Sequence, residues 1–273
     1  MSDTVTGEID PRWTVRSING GMVASNASLL RMSFAHAPAN TYVDAEINDL
    51  AGRRPADYPW RPPLRMTVRT RASHPAADVT GAAVAASAQA GSPYLLGTAG
   101  FGFWNEPFVL ARRVWRLPEA IWFLYTSPPT QLCLVPDVPS CGWKAQVVHA
   151  HRAGALLAGL PALGAIAWAR IGGDERAAAR WMQRVSGAHE ALLDADMTQW
   201  HDYRLDWLSD AATFFVDGAA VCHVAHPPAR PLGFVAWIDN QYIVVTPRGR
   251  YRSGVLEAGE QWMELDALTI TPL

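Results

Sequence analysis

Two short runs hold the residue types from which a polar site beside an aromatic surface is built. Trp104-Asn105-Glu106 closes the glycine-rich stretch Gly97–Phe108, and Trp237-Ile238-Asp239-Asn240-Gln241-Tyr242 follows apolar residues that begin at Gly233. Carboxylates bind hydroxyls or move protons, and indoles cover the apolar faces of sugars or polycyclic compounds. On one concave surface, Glu106, Asp239 and Tyr242 are the candidates for catalysis. Trp104, Asn105, Tyr125, Trp237, Asn240 and Gln241 are the candidates for ligand contact. Core tryptophans ending in a polar turn are the plain alternative. A carboxylate serves as a general acid only where burial or a neighbouring charge raises its pKa.

Other acids and histidines point to structure first. Asp44, Glu46 and Asn48 alternate with Val43, Ala45 and Ile47, and read as the solvated or hydrogen-bonded side of an early strand, with a polar rim to a ligand groove as the second use. Glu264 and Asp266 share a face of the last strand and read as structural. His149 and His151 form a weak metal pattern without an acidic or cysteine partner in sequence, so no metal site is expected. No Gly-x-Ser-x-Gly occurs, and Gly100-x-Gly102 is too short for a dinucleotide fingerprint. No cofactor is expected.

The elements that must position these residues are strands. Tyr203, Leu205 and Trp207 alternate with Arg204 and Asp206, the period of a half-buried strand. Asp217-Gly218 supplies a hairpin turn between 213–216 and 220–224. Asn19-Gly20-Gly21 predicts another hairpin within Trp13–Ser33. Leu64, Met66 and Val68 alternate with polar residues, and Gly97–Phe108, Ala120–Thr126 and Gly142–His149 read as buried strands. Residues 150–196 break the pattern and read as a helical insertion. Leu156, Leu160, Leu163 and Ala167 recur at helical spacing, and Asp174 caps a second helix with Ala178, Trp181, Met182 and Val185 on one face. Residues 153–169 carry no charge. A spanning helix needs about 20 apolar residues; this run is shorter and holds Pro161, so it reads as packed on the sandwich or in a dimer. A membrane-surface contact or a lid over an apolar pocket is its other use.

Composition bounds the function. With 49% hydrophobic residues the 273-residue chain can form a large core as a single domain, 1–273, with 12 Trp to share between core and groove. Net charge is −2 and no Lys/Arg run occurs, which argues against a nucleic-acid surface. Three cysteines cannot all pair within the chain, and the amino terminus lacks a basic and apolar signal pattern. The expectation is a cytoplasmic protein with reduced thiols.

The 200–207 strand, the Phe214-Phe215-Val216-Asp217-Gly218 turn and the closing Trp262–Ile270 run resemble the later strands of the concanavalin A-like lectin/glucanase sandwiches. The likeness is to the laminarinase-type, glycoside hydrolase family 16-like members. The chain also resembles a bacterial subgroup sharing the Gly100–Phe108 and Gly233–Tyr242 runs, which implies no activity. The resemblance implies an all-β, two-sheet antiparallel jelly-roll. In those hydrolases one strand carries Glu-x-Asp-x-Glu, whose period-two carboxylates act as nucleophile and acid. The strand at that position here, Ala120–Thr126, has no carboxylate, and Glu119 stands alone before it. The expected function is therefore binding of a carbohydrate, or of a glycosylated or small apolar ligand, on an aromatic concave face. The alternatives are a cyclase- or isomerase-like enzyme with an apolar pocket, and an atypical glycoside hydrolase using Glu106 with a second acid.

Overall fold

The computed structural model describes residues 9–78, 91–106, 108–109, 114–115, 117–132, 134–150, 175–246 and 251–273. The strands are β1 (Thr14–Ile18), β2 (Gly21–Asn26), β3 (Leu29–Phe34), β4 (Asp44–Asn48), β5 (Leu64–Ala72), β6 (Thr98–Trp104), β7 (Phe108–Val109), β8 (Val114–Trp115), β9 (Glu119–Thr126) and β10 (Gln131–Leu132). They continue as β11 (Gly142–His149), β12 (His189–Leu192), β13 (His201–Trp207), β14 (Ala211–Val216), β15 (Ala219–Ala225), β16 (Gly233–Asp239), β17 (Gln241–Val245), β18 (Tyr251–Val255) and β19 (Gln261–Pro272). One helix, α1 (Glu175–Ser186), is present among the described residues.

Two seven-stranded antiparallel sheets carry the fold, in the orders β1-β4-β16-β6-β9-β11-β12 and β15-β14-β13-β5-β19-β3-β2. This is the jelly-roll sandwich that the resemblance implied. Period-two alternation sends Ile121, Phe123 and Tyr125 of β9 and Phe101 and Phe103 of β6 inward against Leu205, Trp207 and Phe214 of the second sheet. Rings dominate the contact: Phe101 and Phe123 lie 5.2 Å apart, Phe123 and Tyr203 5.0 Å, and Phe103 and Trp207 5.3 Å. The polar atoms of these aromatics are tied off inside, with Trp143 Nε1 donating to the Tyr203 hydroxyl at 3.0 Å and Trp207 Nε1 to the Pro228 carbonyl at 2.8 Å.

The Asp217-Gly218 hairpin forms as the sequence predicts, with φ of 49° and 81° between β14 and β15. The turn at Asn19-Gly20 does not make a hairpin. Its residues have φ of 49° and 99°, but β1 pairs with β4 and β2 with β3, so the chain crosses there from one sheet to the other.

The helical insertion is smaller than 150–196. Residues 189–192 are β12, an edge strand paired with β11, because Glu190 and Ala191 match the register of Gln146 and Ala145. The second expected helix is α1. The first, with 153–169, lies outside the described residues. Among the described residues no helix is long and apolar enough to cross a membrane.

Phe123 touches rings from both sheets, so Phe123→Ala should lower unfolding free energy by about 3–5 kcal/mol, read as a shift in urea midpoint at unchanged slope.

Candidate functional site

The outward residues of the first sheet form the site, and register fixes their order. One row across the strands reads Arg16, Glu46, Trp237, Gly100, Leu124 and Lys144. The next reads Thr14, Asn48, Val235, Gly102, Trp122 and Gln146. Gly100 has a specific purpose here: a Cβ at that position would meet the Trp237 ring at 2.9 Å, so the missing side chain lets the indole lie across β6.

Three indoles thereby line up. Trp237 and Trp122 have ring centroids 5.3 Å apart, and Trp122 and Trp104 5.8 Å. Val235 and Leu124 pack with them in a small apolar cluster separate from the core. Trp237 Nε1 donates to Thr98 Oγ1 at 2.8 Å and Trp122 Nε1 to Gln146 Oε1 at 2.5 Å, while the buried Trp104 Nε1 has no hydrogen-bond partner.

Carboxylates crowd one end of this row. Asp44 sits directly across from Asp239 in the β4–β16 register, and Glu46 is two residues along the same face of β4. Asp44 is 0% exposed, Glu46 8% and Asp239 1%, so of the solvated or hydrogen-bonded strand side that the sequence offered, the solvated alternative is excluded. Asp239 is well satisfied: it accepts from Thr98 N at 3.2 Å, Thr98 Oγ1 at 2.8 Å, Gln241 N at 3.1 Å, Gln241 Nε2 at 2.5 Å and the Tyr42 hydroxyl at 3.5 Å. Glu46 accepts from Asn48 Nδ2 at 2.7 Å. Asp44 is ion-paired, with Arg16 Nε 3.5 Å from Oδ2, and the Tyr42 hydroxyl also donates towards its carboxyl.

Burial drives the electrostatics. It raises the Asp44 pKa to about 8, with the charges of Glu46 and Asp239 adding to the rise and Arg16 opposing it. Burial also raises Glu46 to about 7, against the pull of Arg16, with Glu106 and Asp239 as further negative neighbours. Asp239 rises to about 6 through burial, held down by its hydrogen bonds from Gln241 and Thr98. The Tyr42 hydroxyl is pushed far upward by burial and by Asp239 and Asp44, so it stays a neutral donor.

Of the residues singled out from sequence, Trp104, Trp237, Asp239 and Glu106 meet on this face, Glu106 acting on both Arg16 and Glu46. Gln241 joins them through Asp239. Four others do not serve there. Tyr125 lies on the inward face of β9, fully buried, with its hydroxyl bonded to the Leu95 carbonyl. Tyr242 is a core residue of β17, packed against Gly254. Asn105 clamps the Leu117 carbonyl and the Glu119 amide. Asn240 accepts from Val43 N and donates to the Thr41 and Leu256 carbonyls, joining strand ends rather than facing a ligand. Arg16, Tyr42 and Trp122 were not singled out. Trp122 carried a signal, since it shares a phase with Ala120 and Leu124 rather than with Tyr125.

Other polar groups are absorbed by structure. Glu264 accepts from Arg31 and Arg71 on the second sheet, both at 2.9 Å. His149 Nε2 lies 3.4 Å from Glu119, and His151 is outside the described residues. Among the described residues no group of three His, Cys, Asp or Glu side chains is arranged to hold a metal ion. A cleft of about 430 Å³ lies elsewhere, lined by residues such as Arg12, Trp13, Ser25 and Leu268.

No protein-family model matches the chain, and no curated protein matches it. Solved structures do. A glycosyl hydrolase family 16 protein from Mycobacterium smegmatis aligns at 11% identity and TM-score 0.48, over 98% of this chain and 97% of the other. A β-1,3-1,4-glucanase (lichenase) derived from a mouse hindgut metagenome aligns at 13% identity and TM-score 0.47, over 97% and 96%. The Crh5 transglycosylase in complex with NAG aligns at 11% and 0.47, over 96% and 79%.

The raised carboxyl pKa values carry a sign. Folded Asp44 keeps a proton that the unfolded chain, near pKa 4, has already lost. Stability from this group is therefore complete below about pH 4 and is lost as pH rises through about 8. Urea unfolding at pH 5 and pH 8 should show Asp44→Asn gaining on wild type at the higher pH; a constant difference would refute the raised pKa.

Proposed function

We propose that the outer face of the β1–β12 sheet is a carbohydrate-binding surface, with pyranose faces laid against Trp237, Trp122 and Trp104. The row of three indoles on adjacent strands, 5.3 and 5.8 Å apart, carries this reading. Flat rings with fixed spacing match the apolar C–H faces of successive sugars, and the hydroxyl edges need hydrogen-bonding groups at the margin. Gln241, exposed beside Asp239, supplies such a group at one end of the row. Several of the indoles are already braced by hydrogen bonds to neighbours, so little ordering is required on binding.

Binding without hydrolysis is the reading that β9 favours. Its outward positions are Ala120, Trp122, Leu124 and Thr126, so that strand offers neither a nucleophile nor an acid to a glycosidic bond. An indole fills the middle of the strand instead.

A thermal-shift panel of neutral oligosaccharides and apolar polycyclic compounds tests the class of ligand, since a native-state ligand raises the melting temperature. Oligosaccharides should stabilise the protein, and a shift with the apolar set alone would overturn the proposal. Trp122→Ala should weaken oligosaccharide affinity about tenfold or more in titration calorimetry, roughly 1.4 kcal/mol, because it removes the central ring of the row.

A further inference from the structure

Ser25 stands where β2 should bury an apolar side chain. It shares a face with Val23, which packs on the core, and it pairs with the core residue Leu30 of β3. Ser25 is 4% exposed, and its hydroxyl has no hydrogen-bond partner among the described residues. A buried hydroxyl left unpaired is destabilising, so its place in the core phase of a strand calls for a reason.

Ser25 lines the cleft of about 430 Å³, a size within the range of about 300–1,000 Å³ that small-molecule pockets occupy. One wall is apolar, with Trp13, Leu30 and Leu268, and Trp13 is seated on Phe234 with ring centroids 5.1 Å apart. Another wall consists of two turns with alanines in the left-handed region. Ala27 has φ of 54° between β2 and β3, and Ala267 has φ of 51° where the register of β19 shifts. Ser28 Oγ donates to Asp266 Oδ1 at 2.6 Å and ties these turns together, so the wall is set before any ligand arrives.

The groups that remain free define what the cleft would take. Asp10 has both oxygens engaged, accepting from Arg12 N at 2.9 Å and Arg12 Nε at 2.8 Å. The Ser28 and Thr269 hydroxyls are engaged with Asp266 and Thr67. Among the described residues the Ser25 hydroxyl, the Trp13 indole N–H and the terminal nitrogens of Arg12 have no hydrogen-bond partner. The Arg12 guanidinium is held by Asp10 and lies 5.1 Å from the Trp13 ring centroid. The free side-chain groups on the cleft are therefore donors, and a guanidinium fork matches a carboxylate. The apolar wall matches a hydrocarbon body attached to that carboxylate.

We propose that this cleft is a binding site for a small monocarboxylate with an apolar body, its carboxylate held by Arg12 with Ser25 and Trp13 as further donors. None of its lining residues belongs to the indole row, so the site stands whether or not that row binds sugars.

The test is a ligand-observed NMR titration of the whole chain at neutral pH with hexanoate, 1-hexanol and hexylammonium, which share one hydrocarbon chain and differ in head group. Hexanoate should bind about tenfold or more tightly than either of the others. Arg12→Gln, at the half-exposed rim, should erase that preference. Ser25→Ala should weaken hexanoate binding about threefold without lowering the melting temperature, because it removes a hydroxyl that has no partner in the free protein. Equal affinities for the three compounds, a preference for hexanol or hexylammonium, or no binding of hexanoate at millimolar concentrations would overturn the proposal. So would a hexanoate preference that survives both substitutions, since binding would then lie elsewhere. If Ser25→Ala fails to fold, Arg12→Gln decides alone.

Discussion

A strand in a two-layer sandwich can give only alternate side chains to the core, and whatever lies between them must find partners on the other face. In β16 the inward set is Phe234, Ala236 and Ile238, and the outward set is Val235, Trp237 and Asp239. Asp239 answers that constraint by becoming the acceptor at which several segments meet: Thr98 of β6, Gln241 at the start of β17 and Tyr42 ahead of β4. The same Thr98 hydroxyl accepts from Trp237 Nε1. Trp237 and Asp239 are thus joined through one hydroxyl, so the orientation of that ring depends on the carboxylate beside it.

The strands were legible because their periodicity is local. Tyr203, Leu205 and Trp207 point inward as their alternation requires, and Asp217-Gly218 adopts the positive-φ turn that this dipeptide favours. Asn19-Gly20 shows where local chemistry stops being informative. Its backbone turns as the residues dictate, but whether the next strand stays in the sheet depends on the distant partners β4 and β3. Residues 189–192 were lost to the insertion for a similar reason, since a four-residue edge strand is defined by its pairing with β11 rather than by its own pattern.

For the candidate site, the sequence misjudged which faces of the strands some side chains take. β9 is apolar almost throughout, so alternation cannot say which phase faces out; Tyr125 went to the core and Trp122 to the surface row. Polar residues were ambiguous in another way. Asn105 and Asn240 sit beside Trp104 and Asp239, but their amides each have both donor and acceptor ends, which suits them to clamp strand termini. The alternation of Asp44, Glu46 and Asn48 was plain in the sequence, whereas their burial is a property of the assembled sheet.

Where the acids stand also bears on what they can do. β4 is separated from β9 by β16 and β6, three strand spacings or about 14 Å. The middle of the outward face of β9 is taken by Trp122. The carboxylates on β4 lie nearer the edge strand β1, whose Arg16 is half exposed and reaches toward both Asp44 and Glu46. Burying acids at that edge lowers stability above neutral pH, because each must lose its proton in a place that disfavours the charge. The buried ionisable groups therefore stand at one end of the indole row, next to the edge strand, and not at its middle, where Trp122 lies.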